Sequence, residues 1–187
     1  MVFFDDIDNV NTYIETARGY DGRGIIDKLQ THLSPGATVL ELGMGPGVDL
    51  DILSGRYAAT GSDASRVFLD LYRARHSEAD LLHLDAVTIS ISRSFDCIYS
   101  NKVLHHLQRE DLIASFARQR EVLSDRGIAC HSFWRGVGEE HHQGLRFVYY
   151  AERELQALTE PAWEILELSL YGEAEDDDSV LVILRKV

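Results

Sequence analysis

The chain has 187 residues, 45% hydrophobic and 26% charged, which fits one globular domain and excludes a disordered chain. Its formal net charge of -13 and the lack of any basic run argue against a nucleic-acid partner. No apolar run reaches the ~20 residues of a membrane helix and no basic, apolar leader opens the chain, so no membrane partner and a cytoplasmic setting are expected, with Cys97 and Cys130 as reduced, buried thiols.

Apolar periodicity predicts helices over Val10–Arg18 and Gly24–His32, the second ending before Ser34-Pro35-Gly36. A strand follows at Thr38–Leu42, then the loop Gly43-Met44-Gly45-Pro46-Gly47 and a short helix, Val48–Leu53. Strands are expected at Tyr57–Gly61, Asp80–Leu84 and Phe95–Ser100, with a helix from Ser65 to Arg75 between the first two. The longest helix, Arg109–Leu123, closes on the turn Ser124–Gly127, and a fifth strand covers Ile128–Trp134. The histidine-rich stretch from Arg135 to Gly144 reads as irregular. A helix at Glu152–Thr159 leads to strands at Trp163–Tyr171 and Val180–Leu184, joined by an acidic loop as in an antiparallel hairpin at a sheet edge.

Helix alternating with strand implies an α/β fold: a Rossmann-like three-layer sandwich on a mostly parallel, seven-stranded sheet with an antiparallel last strand. The whole of 1–187 reads as one domain, with 1–34 as a helical cap and 35–187 as the core.

The chemistry centres on the first strand and its glycine loop. Glycines let the backbone turn sharply and let a ligand approach the main chain. Dinucleotide enzymes space them G-x-G-x-x-G, whereas Gly43, Gly45 and Gly47 run G-x-G-x-G, with Val48 where a third glycine or alanine would stand. Glu41 would also be awkward beside a pyrophosphate and suits a cationic ligand.

The pattern Glu41-x-Gly43-x-Gly45-x-Gly47 resembles the first motif of the class I S-adenosylmethionine-dependent methyltransferases, in the style of the small methyltransferases of types 11 and 12. Gly61-Ser62-Asp63-Ala64-Ser65 resembles that family's second strand end, and Leu84-Asp85-Ala86 its third motif. Phe95–Asn101 and Val103-Leu104-His105-His106-Leu107 resemble its fourth strand and the following turn. The resemblance implies S-adenosylmethionine as cofactor, with Asp63 and Ala64 at the ribose and Asp85 and Ala86 at the adenine. Asn101 falls beside the methyl-transfer centre, and Tyr20 or Tyr13 would cover the methionine end.

The expected reaction is transfer of a methyl group to a small-molecule acceptor by in-line displacement, in which alignment does most of the work. His105 and His106 are the candidate catalytic residues, since a base is needed only if the acceptor carries a proton. Trp134, Arg135, His141, His142, Arg146 and Tyr149 are candidates for the acceptor pocket, an arginine there suiting a carboxylate or phosphate. No metal is expected, because the adjacent histidines lack a third ligand at standard spacing. The alternatives are a protein that keeps the fold without doing chemistry, and a methyltransferase acting on protein or tRNA with a partner subunit. As to assembly, a monomer or homodimer is expected.

Overall fold

The computed structural model describes Phe3–His142 and Gly144–Val187. Gln143, in the histidine-rich stretch, and residues 1 and 2 of the expected cap lie outside the described residues.

In chain order the elements are α1 (Ile7–Thr16), α2 (Arg23–Leu29), β1 (Thr38–Leu42), α3 (Val48–Ser54), β2 (Ala58–Asp63), α4 (Arg66–Arg73), β3 (Leu81–His83) and β4 (Phe95–Asn101). Then come α5 (Arg109–Val122), β5 (Leu123–Trp134), β6 (Glu139–His142), β7 (Leu145–Val148), α6 (Glu152–Thr159), β8 (Trp163–Tyr171) and β9 (Ser179–Lys186). Short 3-10 turns cover Phe3–Asp5 and Leu104–His106.

Seven strands form one sheet in the order β3-β2-β1-β4-β5-β9-β8. β1 to β5 pair in parallel, and β9 runs antiparallel between β5 and β8. The hairpin of the last two strands therefore has β8 at the edge and β9 one strand in. β9 shows why the sheet is covered on both faces. Val180, Val182 and Leu184 pack with Leu112, Phe116 and Leu155 of α5 and α6, while Leu181 and Ile183 pack with Ile25, Ile26 and Leu29 of α2. Successive residues of a strand point to opposite faces, so a continuous apolar run feeds two cores.

Four local expectations shift. α1 starts at Ile7 rather than Val10, because Asp6 caps it by accepting the Asp8 amide at 2.8 Å. β5 begins at Leu123, taking in the expected turn, with its register to β4 slipping between Phe95 and Cys97. β3 is trimmed to three residues. The stretch 135–144 is not irregular throughout: β6 pairs antiparallel with β7, His141 opposite Arg146 and His142 opposite Leu145.

The strand order reverses between β1 and β4. Open α/β sheets bind ligands in the crevice at the carboxyl ends flanking such a switch point. Leu42, Asp63, Asn101 and Trp134, the last residues of β1, β2, β4 and β5, define that edge here.

Candidate active site

A cavity of about 800 Å³ opens at this edge. The glycine loop, with Glu41 and Asp49, forms one end; His105, His106 and Phe147 form the other; Tyr13 and Tyr20 face it from the N-terminal segment.

The three loop glycines have φ of +67°, +51° and +86°, a region that side chains rarely adopt. Their surroundings separate their roles. A Cβ on Gly43 would overlap Val103, and one on Gly47 would overlap the Tyr72 ring, so these two serve the packing of the fold. A Cβ on Gly45 would meet only Tyr13 among the described residues, at 3.7 Å, and Gly45 lines the cavity. Position 45 presents bare backbone to the cavity.

Two acids stand over this loop. Glu41 is 3% exposed, and its Oε2 has no hydrogen-bond partner among the described residues. Burial, reinforced by the charges of Asp49 and Asp63, pushes its carboxyl well above the usual range. Asp49, in the first turn of α3, accepts from the Gly22 amide at 2.6 Å, the Tyr99 hydroxyl at 2.7 Å and the Asn101 amide group at 3.1 Å. Asn101 is held from its other side by the Ser132 hydroxyl at 2.5 Å. One carboxylate thus ties the segment before α2 to the end of β4.

Asp63 is 8% exposed and accepts two main-chain amides, Gly45 at 2.9 Å and Ser65 at 2.8 Å. It fixes the glycine loop against the end of β2. Burial raises its carboxyl, with those amide bonds pulling the other way. Asp85 caps the turn after β3 through the Val87 and Thr88 amides, at 3.0 and 2.9 Å. The Ala64 carbonyl meets His83 Nε2 at 2.9 Å. The Ala86 carbonyl accepts from Ser115, the end of a buried polar chain running through Gln119 and His131 to Ser100. Gly47, Asp63, Ala64, Asp85 and Ala86 do not line the cavity. The N-terminal segment lies across this end: Ser65 Oγ donates to the Phe4 carbonyl, and Phe4 packs on Tyr13 and Phe68 at 5.3 and 5.4 Å between ring centres.

At the other end, His105 and His106 project from the turn after β4, their rings 4.0 Å apart. His105 is 1% exposed, stacks on Phe147 at 5.3 Å and, among the described residues, has no partner for either ring nitrogen. His106 Nδ1 lies 2.6 Å from the Arg146 carbonyl. Burial, first of all, lowers both imidazoles below the usual histidine range. Lys102 closes the floor: its ammonium lies 3.2 Å from the Trp134 ring centre, 2.6 Å from Glu173 and 2.7 Å from Ser179. Burial lowers its pKa.

Of the residues expected around the acceptor, Trp134 and His142 line the cavity, whereas Arg135, His141, Arg146 and Tyr149 do not. The hairpin register explains the split. Residues paired across strands share a face, so His142 and Leu145 point one way with Phe147, and His141 with Arg146 the other. The Arg146 guanidinium pairs with Glu139 at 3.1 Å, Tyr149 donates to Glu140, and Arg135 reaches Glu152 at 3.4 Å. Sequence reasoning missed Asp49, Lys102, Leu145, Phe147 and Glu173. The short alternation Leu145-Arg146-Phe147 is the signal the sequence offers for Leu145 and Phe147. Among the described residues, no three of His, Cys, Asp and Glu come together to hold a metal ion, and no helix is long and apolar enough to cross a membrane.

The family model described as "Methyltransferase domain" matches residues 39–127, from β1 to the start of β5. No curated protein matches the chain in sequence. Among solved structures, the Burkholderia thailandensis 1,6-didemethyltoxoflavin-N1-methyltransferase, with 1,6-didemethyltoxoflavin and S-adenosylhomocysteine bound, superposes with a TM-score of 0.79 at 16% identity, over 97% of this chain and 85% of that one. An S-adenosylmethionine-dependent methyltransferase from Clostridium acetobutylicum gives 0.77 at 13%, over 97% and 99%. N-methyltransferase NodS from Bradyrhizobium japonicum, with S-adenosylhomocysteine, gives 0.71 at 19%, over 88% and 84%. The strand order, the glycine loop at the switch point and these matches together show that the chain has the fold of the class I S-adenosylmethionine-dependent methyltransferases, in one small domain.

Proposed function

We propose that the chain is a methyltransferase that uses S-adenosylmethionine to methylate a small molecule by in-line displacement. The observation that carries this reading is one cavity running from the bare backbone of Gly45 and the acids Glu41 and Asp49 to the histidine turn. The residues fit the cofactor. Glu41 Oε2 is buried without a partner among the described residues, a position that favours a cationic group, and Gly45 leaves its side-chain space open. When bound, the cofactor supplies a methyl group on a sulfonium, a leaving group already activated by its charge.

The chain's own residues then divide the work. Glu41 attracts the cationic end, Asp49 holds Asn101 and Gly22 in place around it, and the main chain at Gly45 provides close approach. Asp63, at the end of β2, and Asp85, just after β3, are assigned to the adenosine end. His105, His106, Phe147 and Trp134 shape the acceptor end. A small acceptor is supported by the size of the cavity and by the toxoflavin-type compound bound in the Burkholderia enzyme. A cytoplasmic setting is supported by the two free, buried thiols, Cys97 and Cys130. For assembly, monomer or homodimer is retained.

The test is turnover. Purified protein is incubated with methyl-labelled S-adenosylmethionine and fractionated small-molecule extract. Label in a small-molecule fraction, with S-adenosylhomocysteine formed in equal amount, supports the reading. Tight cofactor binding with no label moved into any fraction would favour a protein that keeps the fold without chemistry.

A further inference from the structure

His106 and His105 are adjacent on one turn and differ in what their nitrogens meet. A main-chain carbonyl only accepts, so the 2.6 Å contact to Arg146 fixes the proton of the neutral His106 ring on Nδ1. Nε2 then carries a lone pair. It makes no hydrogen bond among the described residues and, unlike both nitrogens of His105, is not sealed off from the cavity that His106 lines. His105 is spent as a wall, stacked against Phe147. Phe147 also packs on the His106 ring, edge to face at 4.9 Å between ring centres.

Beside His106 the cavity is aromatic and apolar, with Phe147 and Leu145 from β7 and Trp134 from β5 in its lining. The charged residues of the cavity as a whole are mostly acidic. Lys102 is committed to Glu173 and Asp21 pairs with Arg23 at 3.7 Å, which leaves Glu41 and Asp49 with no cation free to face them among the residues that line the cavity. An anionic acceptor is repelled here. A protonated aliphatic amine is attracted, but it offers no lone pair until its proton leaves, and a neutral imidazole held by burial below its ordinary range is too weak to take it.

We propose that His106 Nε2 is the proton acceptor for a flat, uncharged ring compound whose N–H or O–H is the atom methylated; this rests on the methyltransferase reading. As the ring nitrogen or oxygen bonds to the methyl carbon, the carbon–sulfur bond breaks and its electron pair leaves on sulfur. The N–H or O–H bond gives its pair to the ring atom, and the proton passes to Nε2. Arg146, whose side chain points away from the cavity, takes part through its carbonyl alone, as a positioning residue.

The test uses histidine-labelled protein followed by nitrogen NMR, with S-adenosylhomocysteine binding measured first by calorimetry. The loaded protein is then titrated with lumazine (ring N–H), phenol (O–H) and propylamine, as wild type and as His106→Asn and His106→Ala. The wild type shows His106 protonated on Nδ1 alone, and its Nε2 resonance moves on adding lumazine or phenol. Both substitutions weaken the binding of that ring at least tenfold and leave S-adenosylhomocysteine affinity unchanged. An Nε2-protonated His106, a silent resonance with both rings, or an Nε2 resonance that answers propylamine instead of the rings overturns the proposal while the methyltransferase reading stands. Failure of S-adenosylhomocysteine to bind overturns both. The tautomer is read in the wild type, so it does not depend on either variant folding.

Discussion

Gly22 donates its main-chain N–H to Asp49 at 2.6 Å, and the same carboxylate takes the Tyr99 hydroxyl at 2.7 Å. A side chain at position 22 would overlap both partners. Asp49→Asn keeps one good acceptor where three donors converge, so the tie between the N-terminal segment and the sheet loosens. A loss of about 1–3 kcal/mol is expected, as for a buried group left unsatisfied. Faster hydrogen exchange at the Gly22 amide is the specific readout. Unchanged protection there would mean that the segment is held by other contacts.

The loop glycines are predicted to separate by role. Gly47→Ala forces a methyl group into Tyr72 and costs about 1–3 kcal/mol of stability. Gly45→Ala meets only ordinary contact and costs about 1 kcal/mol for its left-handed backbone. It intrudes instead on the ligand's approach. Paired thermal melts and cofactor titrations check this: Gly47→Ala lowers the melting temperature more, and Gly45→Ala lowers affinity more.

Glu41→Gln exchanges stability for function. The folded-state pKa of Glu41 is raised, so its contribution to stability is present below the unfolded value of about 4.5 and is lost as pH rises through the folded value. Above the unfolded value the buried carboxyl is therefore a liability, and Gln is predicted to raise the melting temperature at neutral pH. It also removes the acid that would pair with the cofactor's cationic end, a loss of about 1.5–3 kcal/mol in binding. A variant that is both less stable and unchanged in affinity would contradict this assignment.

Acid is predicted to destabilise the fold through its buried histidines. His131 is fully buried between Ser100 and Gln119, each 2.8 Å away, and burial pushes it down to about 3. Its folded pKa is depressed, so the stability it permits is present above the unfolded value of about 6.5 and is lost as pH falls from there toward 3, by about 1.4 kcal/mol per pH unit. His105 and His106 act in the same direction. Denaturant unfolding between pH 7.5 and 5 measures the slope, and His131→Asn should reduce it by one histidine's share.

The parts of this molecule that were legible before its structure are those whose signal is local. The run Val39–Gly47 announces strand, turn and glycine loop because the apolar residues and the glycines lie next to one another. The course of the sheet follows from the alternation of helix and strand. Phe147 and Leu145 were not legible as site residues because 135–144 carries glycines and like charges that mask a strand of four residues, and the face each residue takes depends on the register of β6 with β7. Asp49 reads locally as a favourable acid in a helix's first turn, and its tie to Gly22, 27 residues away, exists only once the chain has folded. Lys102 is similar: its partners Trp134, Glu173 and Ser179 come from later strands and loops.

The most direct test of the central claim is a calorimetric titration of S-adenosylmethionine into the wild type and Gly45→Val, with NAD as the control ligand. The account predicts micromolar binding of S-adenosylmethionine to the wild type, at least tenfold weaker binding to Gly45→Val with the fold retained, and no binding of NAD. Equal affinity in the two proteins, or binding of NAD in preference, would contradict it.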